Sequence, residues 1–328
     1  MAAGFKQATV NSARVPATQS NFPVYVDLSR LGITTLAEAQ SVRVYADSGK
    51  ATEWAREIVS ATEMHVKVPS MTSTTTIYVD YDGIRADYAA TDTFGRNAVW
   101  SDYAAVLHLE DANSSTGSNN FTNTGSTPFG SAKIANGAQF NRTNNRRIGV
   151  TSNALSLDWN GSYSWNFWIN VNSFTNQAYF FDHWSTTGAG RRLVIYNNPA
   201  TAQFRFFWSG NEIALSTVSS GTWYKITCVK DGSTMRQYVN GTALSTTTLG
   251  TVSYALNQAC LGAAADAFTV NSDATFDETR YRVGALSANW ETTEYNNQNA
   301  ESTFWGTWTD VGGGGATPSR LMVLGVGS

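Results

Sequence analysis

Ahead of residue 84, apolar and polar positions alternate in short runs: Phe22, Val24, Val26 and Leu28; Val42 and Val44; Met64, Val66 and Val68; Ile77, Val79 and Tyr81. A period of two places each set on one face of a strand, so residues 1–83 read as a small antiparallel β-sandwich. Thr35-Leu36-Ala37-Glu38 breaks the pattern with capping-box spacing and predicts a single helical turn. Over residues 84–103 the alternation lapses. Phe94 and Trp100 lie in that stretch, so it reads as a packed linker rather than a loose one.

From residue 104 to 308 the strands lengthen and gain aromatics. In Ser162 to Asn172, one face carries Tyr163, Trp165, Phe167, Ile169 and Val171, and the other is Ser and Asn apart from Trp168. Further strand-like runs follow, separated by turn signals such as Asp231-Gly232 and Asn240-Gly241. Many antiparallel strands at this spacing predict a sandwich or jelly roll. Ser287 caps a short helix that closes the domain against Phe304, Trp305 and Trp308. Residues 309–328 change character: Gly312 to Gly315 reads as a hinge, and Leu321, Met322, Val323, Leu324 and Val326 form an apolar strip suited either to a frayed terminus or to assembly with another subunit.

Composition agrees with an all-β chain. Of 328 residues, 42% are hydrophobic and 12% aromatic but only 14% charged, a mix that supports cores built from strands and turns. The net charge of −3 and the absence of a basic run argue against nucleic acid as a partner. No run approaches the roughly 18 apolar residues of a membrane span, and the opening MAAGFKQATVNSARV lacks the apolar centre of a secretory signal. Two cysteines, Cys228 and Cys260, are too few for a disulfide framework, and buried free thiols are the favoured reading.

Several segments carry a resemblance to known proteins. NFPVYVDLS, VRVYADSG and MHVKVPSMTSTTTIYVDYDG resemble a domain of unknown function found ahead of laminin-G-like domains in bacterial and phage proteins, and NAVWSDYAAVLHLED is similar to the junction of that pairing. Downstream, AKIANGAQF, SYSWNFWINV, TWYKITCVKDGSTMRQYVNGT, FDETRYRVGALSANWETTEYNNQ and STFWGTW resemble successive strands of a laminin-G-like, concanavalin A-like jelly roll. The resemblance implies contacts with glycans or proteins. It fixes no ligand, because the superfamily holds lectins, adhesion modules and glycosidases alike.

The chemistry-bearing residues point to no conventional active site. Glu-x-Asp-x-x-Glu, the usual carboxylate spacing of jelly-roll glycosidases, is missing, and strand alternation sends Asp277 and Glu278 to opposite faces, pairing Arg280 or a backbone amide. His65, His108 and His183 are far apart in sequence without a metal-ligand partner at close spacing, and His108 reads as a buried, hydrogen-bonded histidine. Calcium is a candidate cofactor at Asp111 and Asn113, or at Asp266 and Asp273, with solvated loops as the competing reading. For a glycan, flat aromatics beside guanidinium groups matter most, which singles out Trp168, Trp184, Arg191, Arg192 and Trp208.

The expectation is therefore a non-enzymatic binding protein: first a bacteriophage virion surface component that contacts itself, other virion proteins or a host-surface glycan. An exported bacterial carbohydrate-binding or adhesion module at the cell surface is the second reading, and a glycosidase the third.

Overall fold

The computed structural model describes residues 3–118, 120–150, 155, 160–185, 192–208, 211–249, 258–265 and 270–312, with the backbone alone for 192, 193, 208 and 211. The fold is an all-β jelly roll preceded by a small sandwich. In the sandwich, a five-stranded antiparallel sheet centred on Gly4–Thr9 and Thr76–Tyr81 faces a three-stranded sheet of Gln19–Asp27, Glu63–Met71 and Arg56–Ile58. The alternating residues Phe22, Val24, Val26, Met64, Val66, Val68, Ile77 and Val79 are all buried between them. The predicted turn is the helix Leu36–Gln40, where Thr35 and Glu38 cap each other's backbone amides.

The jelly roll packs an eight-stranded sheet on a seven-stranded one. At the centre of the first, Tyr163–Val171 lies between Trp223–Asp231 and Ala274–Val283. Its face of Tyr163, Trp165, Phe167, Ile169 and Val171 fills the core with Phe181, Phe206 and Phe276. The turn at Asn240-Gly241 has both residues at positive φ, 52° and 71°, as a tight hairpin between Thr234–Val239 and Thr242–Thr248 demands. Cys228 and Cys260 are buried free thiols.

The other face of Tyr163–Val171 is not solvated. Ser287 caps the helix Ala288–Asn299, which lies across this face and wedges between the two domains. Asn297 clamps the Tyr25 backbone of the sandwich, accepting from its N–H at 2.7 Å and donating to its carbonyl at 2.9 Å. Trp290, Phe304 and Trp305 sit in the sandwich core rather than closing the jelly roll alone. Thr309 and Asp310, expected in the tail, pair as a strand with Gln7 and Lys6, because the chain returns to the edge of the first sheet. The linker is packed: Trp100 is 1% exposed. No helix among the described residues is long and apolar enough to cross a membrane.

Candidate functional site at the domain junction

Alternation that buries Met64, Val66 and Val68 turns Glu63 and His65 to the opposite face of their strand, and Glu57 joins them as the cross-strand partner of His65. That face meets the jelly roll. There, pairing of Leu107 with Thr279 brings His108 beside Glu278. Glu278 sits in a β-bulge at φ 50°, where Glu278 and Thr279 together oppose Phe167. Strict alternation would separate Asp277 from Glu278. The extra residue instead puts Asp277, Glu278 and Arg280 into the same polar layer, where Asp277 accepts from the Ile134 N–H at 2.6 Å.

Glu63, His65, His108 and Glu278 are each at most 4% exposed, although two of them come from each domain. His65 Nε2 lies 2.9 Å from Glu63 Oε1 and 3.8 Å from Glu278 Oε2. His108 Nδ1 lies 2.5 Å from Glu278 Oε1 and 3.3 Å from Glu63 Oε1, and its Nε2 is 3.0 Å from Glu57 Oε2. The imidazoles stack at 4.6 Å. Trp100 donates its indole N–H to Glu57 and closes one side. Arg280 pairs with Glu278 and, at 2.7 Å, with Glu294 on the C-terminal helix, which Lys225 also holds at 2.7 Å.

Charge in this layer is set by burial and neighbours together. Burial pushes the Glu63 carboxyl up to about 8 and the His65 imidazole well below its ordinary value. Burial also opposes charge on His108, but Glu278 and Glu57 outweigh it and lift its pKa well above the histidine range. At Glu278, burial is outweighed by His108 and Arg280, which hold the carboxylate ionised. The expectation of a buried, hydrogen-bonded His108 holds, but the histidines are not all isolated, since 43 residues of sequence separate two that stack in space. His183 stays apart, stacked on Tyr281 at 5.5 Å.

One wall of this cluster opens to solvent. A cleft of about 410 Å³ lies over Glu57 and His108, bounded by Arg96, Glu110, Asn113 and Asn120 among others. Beside Ile58, Val59 and Leu109, its lining offers carboxylate, imidazole, amide, hydroxyl and guanidinium groups, a set that hydrogen-bonds a polyhydroxylated ligand. Asp111 and Asn113, considered for calcium, are exposed at its rim, and both Asp111 oxygens accept from Asn113 at 2.7 Å. Asp273 accepts from Asn172 at 3.0 Å, and Asp266 lies outside the described residues.

Neither Trp168 nor Trp184 lines that cleft. Trp168 is 1% exposed, stacked on Tyr295 and donating to Gln298 at 2.7 Å, so it belongs to a packing layer beneath the helix and not to an open sugar platform. Trp184 is half-buried against Cys260, Ala263 and Ala265 on the far sheet. Arg191 lies outside the described residues, as do the side chains of Arg192 and Trp208 and the strip Leu321, Met322, Val323, Leu324 and Val326. The junction residues were missed for a definable reason. Their only sequence signal is Glu63-x-His65 on the face opposite an apolar stripe, and its partners lie a domain away.

Fold and layering define a protein whose larger domain is a concanavalin-like, laminin-G-type jelly roll. Residues 142–290 match the family model described as the concanavalin A-like lectin/glucanases superfamily. No curated protein sequence matches the chain. Solved structures similar to it include a Trypanosoma rangeli sialidase in complex with the inhibitor DANA, at 9% identity and TM-score 0.50 over 72% of this chain and 42% of that one. Domain 4 of the extracellular arabinanase AbnA from Geobacillus stearothermophilus, bound to arabinotriose, matches at 16% identity and TM-score 0.47 over 58% of this chain and 97% of that one. The binding domain of Paraclostridial Mosquitocidal Protein 1 matches at 14% identity and TM-score 0.47 over 60% of this chain. The match spans 52% of that chain, about half its length. At these identities the likeness is one of fold.

Proposed function

We propose that this is a non-catalytic binding protein that takes a short glycan in the cleft at the domain junction and works on a surface, foremost that of a bacteriophage particle. The observation that carries the reading is the cleft itself: it is roomy, polar and held between two domains that the C-terminal helix locks together. Buried carboxylates support the non-catalytic part. Asp277 and Glu278 are at most 1% exposed and are engaged by the Ile134 amide, His108 and Arg280, so neither is presented to a sugar. The particle reading rests on the resemblance to a phage-borne domain pairing and on the apolar strip that ends the sequence.

Asn113→Ala tests the cleft, since the exposed rim tolerates truncation and the change removes one side-chain amide while the backbone N–H of residue 113 still holds Asp111. On a glycan array followed by calorimetry, we expect a ligand whose affinity drops about tenfold in this variant, the worth of one or two hydrogen bonds. No bound glycan, or one whose affinity Asn113→Ala leaves unchanged, sinks the reading. Sugar release by the intact chain would favour the glycosidase alternative.

A further inference from the structure

We infer that Glu63, His65, His108 and Glu278 form a binding site for a divalent transition-metal ion of the zinc class, which clamps the two domains together. A tetrahedral zinc site with bonds of about 2.0–2.1 Å has donor atoms about 3.3 Å apart along its edges. Glu63 Oε1 lies 2.9 Å from His65 Nε2 and 3.3 Å from His108 Nδ1, while Glu278 brings Oε1 to 2.5 Å from His108 and Oε2 to 3.8 Å from His65; one donor atom from each of the four residues lies within 4.8 Å of the others. Two imidazoles with two carboxylates suit zinc better than calcium or magnesium, which favour oxygen alone.

Two further observations point to a ligand. Glu63 Oε2 is buried without a hydrogen-bond partner, a costly state that coordination reaching this oxygen as well as Oε1 would relieve. His108 Nε2 is held by Glu57, itself fixed by Trp100, and this carboxylate–imidazole support is the arrangement that orients metal-ligating histidines. The layer is also short of positive charge. Glu57, Glu63, Asp277, Glu278, Glu291 and Glu294 face Lys225, Arg280, His108 and, beside Asp277, Lys133 as their cations.

A full set of four protein ligands makes its role structural. Its ligands arrive pairwise from the strand Glu63–Met71 and from the jelly roll, so the ion would join domains that share no sheet at this point. The guanidinium of Arg280, 3.5 Å from His65 Nδ1, disfavours the ion, although it is also paired with Glu278 and Glu294.

The test uses the full chain, unfolded with a chelator, refolded with or without one equivalent of Zn2+, desalted and assayed for metal. We expect about one zinc per chain, a higher Tm for the zinc-refolded protein, and, with Co2+, the visible absorption of tetrahedral cobalt, displaced by Zn2+. Glu63→Gln keeps the side chain's shape and removes a ligand. It should fold with unchanged far-ultraviolet circular dichroism, bind zinc at least tenfold more weakly and lose the zinc-dependent Tm rise. Wild-type protein that retains no zinc, or a Glu63→Gln variant that retains as much as wild type, overturns the assignment.

Discussion

At the scale of the residue, the molecule places many charged side chains where apolar ones would be cheaper to bury. Arg280, Glu278, Glu294 and Lys225 are each at most 1% exposed. Such networks add little net stability over a packed apolar layer, yet removing one member leaves a buried charge uncompensated. Glu301 gives a measurable instance away from the proposed metal site. It bonds Arg30 at 2.8 Å, with Asp27 also nearby, and burial outweighs the guanidinium and lifts the carboxyl to about 7. A carboxyl whose folded pKa exceeds its unfolded value holds its proton longer in the native state. Its contribution therefore favours folding below the unfolded value of 4.5 and is lost as pH rises toward 7. Urea unfolding of wild type and Glu301→Gln should show a slope of stability against pH between those values that is shallower in the variant, and equal slopes would refute the assignment.

At the scale of the element, the helix Ala288–Asn299 is decisive. Its buried side chains include Glu291, Thr293, Glu294, Asn297 and Gln298, so it is held by hydrogen bonds and ion pairs more than by an apolar stripe. Its start depends on Ser287, whose Oγ accepts from the Trp290 N–H at 3.1 Å. Ser287→Ala should cost about 1 kcal/mol in urea unfolding, and Ser287→Asp should restore most of it. A loss too small to measure would mean that the clamps on Tyr25 and Arg280 alone set the helix. The bulge at Glu278 matters in the same way. By inserting one residue it turns a carboxylate that alternation assigns to one face toward the domain junction.

At the scale of the whole molecule, the chain closes on itself. Strand Thr309–Asp310 pairs with the first strand, so both ends of the described fold meet in one sheet, and the jelly roll is fastened to the sandwich at linker, helix and closing strand. A chain ending at Gly312 keeps every one of these fastenings. It should retain the Tm of the full chain within about 2 °C, a shift equivalent to roughly 1.4 kcal/mol for a protein of this size. If the particle reading holds, it should also lose attachment to virions, scored by mass spectrometry of purified particles. A large drop in Tm would instead make the last sixteen residues part of the core.

By itself the sequence determined the all-β class, the apolar faces of the main strands, the cap at Thr35 and the turn at Asn240-Gly241. Each of these depends on residues near one another in the chain, where period and local sterics act directly. The polar faces were decided by tertiary structure. Alternation marks Ser164, Asn166, Trp168, Glu63 and His65 as lying opposite a core stripe, and from sequence that position reads the same whether water or another domain covers it. Here a helix and a second domain cover it. Only that docking turns Trp168 from a candidate sugar platform into packing, and brings His65 and His108 from opposite domains to 4.6 Å.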